Sequence, residues 1–331
     1  MRVKGILAAV MAAAVTAAPG MADVMEEGAA VVADFLAGED AGLWARMTPE
    51  MQAALGGPER LADLRGALRD SHGAESEILS EQVAAQGGYE VYSRVSRWEG
   101  DPAPLGVTVA FDGASRIAGF LIRPQPVAAQ SRFLDYRTKA DLRLPVEGAW
   151  HVFWGGRDIA DNYHAVDPGQ RFAMDLLVLR NGASHAGDPA RNESYHCWDR
   201  PILAPAAGRV AAAADGLPDQ SPGEMNPQAP LGNHVILDLG NGEYAFLAHL
   251  RQGSVAVAGG QEVAAGDLLG RCGNSGNSSE PHLHVHLQTS PDLGEGDGLP
   301  AQFRDYLADG APVDRGEPLR GQEIAPRPPG P

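Results

Sequence analysis

The chain has 331 residues, 44% of them hydrophobic and 21% charged; these globular averages exclude wholesale disorder, and the length suggests about two domains. The formal net charge is −17, from 26 basic and 43 acidic side chains, and only Lys4 and Lys139 are lysines. Phosphate neutralisation needs clustered cations, so the balance argues against nucleic acid as a partner and against docking on an anionic membrane. Two cysteines exclude a disulfide-dense scaffold and a four-cysteine zinc ribbon.

The chain starts with Arg2 and Lys4, an apolar run from Gly5 to Ala18, and then Pro19-Gly20-Met21-Ala22. A charged start, a short apolar stretch and a small-residue exit predict a signal peptide over 1–22, cleaved near Ala22. The other reading, a buried N-terminal helix, fits poorly because the run has no polar face. No later run reaches 18 apolar residues, so no membrane span is expected. The mature protein is expected outside the cytoplasm, in the periplasm or the extracellular space. In such an oxidising compartment Cys197 and Cys272 could form one bridge, contributing on the order of 4 kcal/mol in chain-entropy terms. Two buried free thiols are the alternative.

Residues 24–70 predict helices, with spaced apolar positions from Val24 to Leu36, a capped start at Thr48-Pro49-Glu50 and a periodic stretch from Pro58 to Leu68. From Glu75 to Arg123 the pattern turns strand-like: Tyr89 to Val95, Leu105 to Phe111 and Ile117 to Ile122, with Asp112-Gly113 in a hairpin position. Helices followed by a meander predict an α+β accessory domain over 23–125, which weakly resembles the cone fold of nuclear-transport-factor-like domains. Residues 126–149 read as a linker. From Trp150 the elements are short and β-branched, with strands expected at Arg209-Val210, His234 to Asp238, Tyr244 to Leu247, Val255 to Val257 and Leu283 to Leu287. Asn241-Gly242 is a hairpin signal, and residues 215–232 read as a long surface loop. A mainly β domain over 150–310 and a proline-rich extended tail over 311–331 complete the expectation.

Nine of the ten histidines fall in this second domain. His282, His284 and His286 alternate with Leu283, Val285 and Leu287. Strand side chains at i and i+2 share a face about 7 Å apart, so the imidazoles line one face and the aliphatics the other. The preceding run Gly273 to Ser279 reads as a polar turn that leaves the front of the strand open. Three aligned imidazoles point to a metal, since neutral imidazole is a common zinc ligand; a solvated polar face is the ordinary alternative. A catalytic zinc takes three protein ligands and keeps one position for water.

Pro281-His282-Leu283-His284 after Gly-Asn-Ser-Gly-Asn, Ala248-His249-Leu250, the glycine-punctuated stretch Val257 to Gly270, and Leu203 to Val210 stand in an order that resembles the lysostaphin/LytM-type zinc metallopeptidases. These enzymes cut peptide cross-links in bacterial cell walls. The resemblance spans roughly residues 150–290. It implies a barrel-sandwich-like antiparallel fold, zinc on Asp175 and His284, and roles for His249 and His282 on the water and on the charge developing at the scissile carbonyl. The family's usual His-x-x-x-Asp is missing, because Arg171 stands four residues before Asp175. The layout Asn162-Tyr163-His164 plus Gln170-Arg171-Phe172-Ala173-Met174-Asp175 resembles that of a subgroup of the family, and His164 is expected to fold back and replace the missing ligand. Otherwise Arg171 fills the metal pocket and the site is dead.

Asn162 is expected to orient a ligand or substrate backbone, or simply to sit in a surface turn; His286 is expected behind the ligands or along the groove. His151, His185 and His234 read as ordinary residues, and His196 as a remote candidate ligand. The resemblance implies an exported zinc endopeptidase acting on peptidoglycan stem peptides or cross-bridges. An inactive wall-binding module that positions or activates another wall hydrolase is the alternative. The Ala-Pro-Ala-Ala-Gly-Arg-Val segment also resembles biotin or lipoyl carriers, but these need a modifiable lysine and none follows Lys139.

Overall fold

The computed structural model describes residues 19–328, so most of the expected signal peptide lies outside the described residues. The chain divides into two compact units, one ending at Val127 and the other starting at Ala128. No helix among the described residues is long and apolar enough to cross a membrane.

The first unit is α+β, as the sequence predicts. Its helices are α1 (Pro19–Ala37), α2 (Asp40–Arg46), α3 (Pro49–Leu55) and α4 (Glu59–His72). The side chain of Thr48 accepts the Met51 amide at 3.2 Å, and Pro49 follows in the first helical turn. That cap satisfies a donor with no partner inside the helix. Strands β1 (Glu75–Gln86), β2 (Tyr89–Trp98), β3 (Asp101–Phe111) and β4 (Ile117–Pro124) form an antiparallel meander. At the β3–β4 turn Asp112 Oδ1 accepts the amides of Ala114 and Arg116, both at 2.9 Å. Val31, Phe35, Leu61, Tyr92, Val109 and Ile117 are among the residues of this unit's core.

The second unit is mainly β: β5 (Trp150–Trp154), β6 (Met174–Leu177), β7 (Pro201–Leu203), β8 (Gly208–Ala214), β9 (Asn233–Asp238), β10 (Tyr244–Leu250), β11 (Glu262–Val263), β12 (Leu268–Arg271), β13 (Leu283–Gln288), β14 (Gly298–Leu299), β15 (Phe303–Ala308), β16 (Ala311–Gly316) and β17 (Glu323–Pro326). The large sheet runs β11-β8-β9-β10-β13-β6-β5-β17-β15-β16, with β14 on β13 and with β7–β12 as a separate pair. On β13 the alternation divides as predicted. Leu283, Val285 and Leu287 enter the main core, while the histidine face is opposite and also buried.

Four sequence expectations change. Residues 128–149 are no linker: Leu142, Leu144 and Val146 are core residues of the second unit, and Phe133 and Tyr136 pack against them. The reason is a buried carboxylate. Glu243, fully enclosed, accepts the Tyr136 hydroxyl at 2.9 Å and the amides of Lys139 and Ala140 at 2.6 and 2.8 Å. Residues 311–328 are not simply a tail either, because β17 is inserted between β5 and β15 with Ile324 fully buried. Val255 to Val257 form no strand. Cys197 and Cys272 do meet, with Sγ atoms 2.8 Å apart, but as buried free cysteines. Burial, with the neighbouring Cys197, pushes the Cys272 thiol well above its ordinary range, and Cys197 Sγ donates to the Pro281 carbonyl at 2.9 Å.

Glu243→Ala leaves three donors without their acceptor, and each such loss costs about 1–3 kcal/mol when the group stays buried. We expect about 3 kcal/mol lower stability, read as a lower urea midpoint at unchanged slope. An unshifted midpoint would mean that the 128–149 segment is not anchored through this carboxylate.

Candidate metal centre

Register places the chemistry. Asp175 on β6 stands directly opposite His284 on β13, which stands opposite Ala248 on β10. Adjacent strands are about 4.8 Å apart, so groups facing each other across one pairing are within ligand-sharing distance. His284 Nδ1 lies 2.9 Å from Asp175 Oδ1, and His164 Nε2 lies 3.0 Å from Asp175 Oδ2. One ligand atom from each of His164, Asp175 and His284 falls within 4.8 Å of the others, and all three residues are buried. This cluster is geometrically consistent with a mononuclear zinc site, since two imidazoles and a carboxylate form one of the common catalytic donor sets.

His164 sits on a 3₁₀ turn, Tyr163–Val166, whose geometry Asn162 controls. The Asn162 side chain accepts the His164 amide at 3.1 Å and donates to the carbonyls of Gly156 and Ala173 at 2.9 and 3.0 Å. It therefore ties the His164 turn to the segment entering Asp175, and it is fully buried rather than part of a surface turn.

Arg171 stays out of the metal pocket. Its Nε donates to the Ala129 carbonyl at 3.0 Å and its Nη1 to the Arg157 carbonyl at 2.5 Å, with the guanidinium 5.2 Å from the Phe172 ring centroid. The feature that kept the inactive reading open is thus engaged elsewhere.

Two further rings face the cluster. His249 lies at the end of β10, where pairing to β9 is irregular, and it has φ 61°. A non-glycine residue in the left-handed region is uncommon and costs about 1–2 kcal/mol. Neighbouring contacts hold it there: its amide donates to the Leu231 carbonyl at 3.0 Å and its Nδ1 to the Ser275 carbonyl at 2.9 Å. Gly232 makes that approach possible, since a Cβ there would fall 2.3 Å from the Ser275 oxygen. His282 donates from Nδ1 to the Glu280 carbonyl at 2.8 Å and turns Nε2 toward Asp175 Oδ1, 3.7 Å away. The His249 and His282 ring centroids are 4.7 Å apart. Because a carbonyl only accepts, both rings carry their proton on Nδ1 and present Nε2 as a lone pair.

The run 273–279 is a brace rather than an open turn. Asn274, Ser275 and Ser278 are buried, and Ser275 Oγ donates to the Leu250 carbonyl at 2.7 Å. Residues 215–232 form an irregular loop that clamps it, with Asp219 Oδ1 accepting the Asn274 amide at 2.7 Å. His286 meets His284 Nε2 through Nδ1 at 2.9 Å. His151, His185, His196 and His234 do not join the cluster among the described residues. Tyr163 was not singled out in the sequence; its ring centroid lies 3.9 Å from that of His164.

Burial alone would raise the Asp175 carboxyl, but the His164 and His282 rings and the hydrogen bonds from His164 and His284 hold it well below its usual range. Burial pushes His249 and His286 well below the ordinary imidazole range and His284 below it. The three rings are therefore neutral at neutral pH.

Residues 196–295 match peptidase family M23. That segment contains His249, His282 and His284 but neither His164 nor Asp175. No curated protein matches the chain. Solved structures that are similar include a candidate glycyl-glycine endopeptidase LytM from Ruminococcus gnavus, at 22% identity over 38% of this chain and 42% of that one, TM-score 0.24. A candidate M23 peptidase from Pseudomonas aeruginosa gives 18% identity over 66% and 85%, TM-score 0.28. Lysostaphin from Staphylococcus simulans gives 16% over 48% and 50%, TM-score 0.29. The chain thus spans less than half of the first of these proteins and half of lysostaphin.

The depressed rings fix the sign of a pH effect. In the unfolded chain imidazoles take up protons near pH 6.5, whereas in the fold His249, His284 and His286 resist protonation to lower pH. The unfolded state therefore binds more protons as pH falls below about 6.5, and stability drops with it. Thermal unfolding of chelator-treated protein should show a midpoint that is level from pH 8 to 7 and falls from pH 6.5 to 5. A midpoint that rises over that interval contradicts neutral buried rings.

Proposed function

We propose that the second unit is a zinc metalloendopeptidase that hydrolyses amide bonds in peptidoglycan stem peptides or cross-bridges. The observation that carries the reading is the convergence of three ligand atoms within 4.8 Å with two Nδ1-anchored imidazoles facing them. His164, Asp175 and His284 would hold the ion. Bound zinc supplies Lewis acidity toward the scissile carbonyl and lowers the pKa of water. His249 and His282 offer Nε2 lone pairs beside that position, to accept a proton from the attacking water, return it to the leaving amine and, once protonated, stabilise the developing oxyanion. The anchoring carbonyls of Ser275 and Glu280 keep both rings oriented through the proton transfers. We place the protein outside the cytoplasm on the strength of Arg2, Lys4 and the apolar run to Ala18.

Purified protein should contain zinc and clear suspensions of bacterial wall, with clearing lost to a chelator and restored by zinc. Mass analysis of fragments from defined muropeptides should show a new amine and carboxylate within the peptide; cleavage at sugar linkages would refute the substrate reading. His164→Ala should lose the metal. His249→Ala should keep it while losing about 10²–10⁴-fold in turnover, the usual size of a general acid–base contribution. Wild-type protein that binds no zinc ends the enzyme reading.

A further inference from the structure

The sheet face that carries the cluster continues beyond the metal ligands. Trp154 on β5 stands opposite Asp175, which stands opposite His284, so the three share one face along one line across the sheet. The Trp154 ring meets Tyr163 edge to face at 5.4 Å between centroids, and Tyr163 in turn lies 3.9 Å from His164. Tyr163 is half exposed and Trp154 partly so, which makes the pair a shelf at the surface rather than core. At its outer end the Arg320 guanidinium lies 4.4 Å from the Trp154 ring centroid. The Arg320 backbone amide donates to the Gly155 carbonyl at 2.9 Å, and Nη1 donates to the Ala160 carbonyl. A guanidinium has five N–H donors, so most remain for a ligand. Neighbouring Arg157 is neutralised by Glu317 at 2.7 Å, whereas Arg320 forms no ion pair among the described residues. Each link from Arg320 to His164 is one ring contact, and the whole path is no longer than about four extended residues.

We propose that Arg320, held over Trp154, is a specificity-determining residue that binds a carboxylate of the substrate peptide a few residues from the scissile amide. The inference rests on the peptidase reading above and narrows it: stem peptides carry free carboxylates, whereas cross-bridges of neutral residues do not, so the shelf favours the stem peptide. Contact with the indole face orients the guanidinium, and its parallel N–H donors match the two oxygens of a carboxylate. The Trp154 and Tyr163 rings displace water beside the pair, which strengthens the attraction. Asp158 and Asp161, on the turn between β5 and Tyr163, form no ion pair with Arg320, so no internal carboxylate already occupies the position. With a formal net charge of −17 the protein repels an anionic peptide at long range, and an unpaired cation beside the cluster offsets that repulsion where the peptide docks.

Calorimetric titration of the full chain carrying His249→Ala, which stops turnover, compares a synthetic stem tetrapeptide with free carboxylates against the same peptide with them amidated. The free form should bind about 10- to 100-fold more tightly, the size of a charge-assisted hydrogen-bonded contact. Adding Arg320→Met should remove most of that preference by weakening the free form alone, and Arg320→Lys should restore part of it. Any contact between a carboxylate and bound zinc is common to all three proteins and cancels in the comparison. Equal affinity for the two peptides before Arg320 is changed overturns the proposal, as does a preference that survives in R320M, or no binding of either peptide. Equal weakening of both peptides by R320M makes Arg320 a structural residue and overturns it as well. Zinc content of the same samples tests the peptidase reading separately: a carboxylate preference in protein that binds no zinc keeps the Arg320 site and refutes the enzyme.

Discussion

The carboxylate of Asp175 is the point on which the second unit's chemistry converges. It is buried, it faces His284 across one strand pairing, and its second oxygen meets His164 from a separate turn. A buried carboxylate without such partners would give up its charge, since desolvation penalises the ionised form. Here the neighbouring rings reverse that penalty, so the charge persists and two imidazoles are held at a common centre. The fold makes this possible by placing β6 next to β13, although 109 residues separate Asp175 from His284 in sequence.

Holding polar groups inside a sheet-based core demands that each find a partner, and much of the irregular chain serves that demand. Glu243 draws residues 136–140 onto the sheet, Asn162 ties the His164 turn to Ala173, and Asp219 clamps the 273–279 brace. Arg171 belongs to the same class: its guanidinium caps two backbone carbonyls and so joins residues 129 and 157 near the entrance to β6. Loops that look like solvent-facing connections in composition are here the acceptors and donors of the interior. This fits the low tolerance of buried polar atoms for missing partners.

That distinction separates what the sequence made legible from what it did not. The period-2 alternation on β13 divides core from chemistry without help from any other segment, and Thr48-Pro49 marks a helix start by local capping alone. Asp175, His249 and His164 came from motif resemblance, because nothing local to each of them says that they converge. The linker and tail readings failed for one physical reason. Residues 128–149 lack clean periodicity and residues 311–328 are rich in proline, yet long-range hydrogen bonding and strand insertion order them.

Three imidazoles of one strand face end up with different duties, and backbone carbonyls do the sorting. His282 and its neighbour His249 each meet a carbonyl through Nδ1, from Glu280 and Ser275, which leaves Nε2 as the working atom. His284, two residues along, meets no carbonyl; its Nδ1 faces Asp175 Oδ1 and its Nε2 faces His286 Nδ1, each at 2.9 Å. Residue identity and burial are shared, so neither explains why the rings turn different nitrogens toward Asp175. The acceptor beside each ring does: the carbonyls of Glu280 and Ser275 behind His282 and His249, and the Asp175 carboxylate in front of His284. Specialisation within the cluster is thus a property of the loops and strand ends that present those acceptors, which explains why the brace at 273–279 is as buried as the core it abuts.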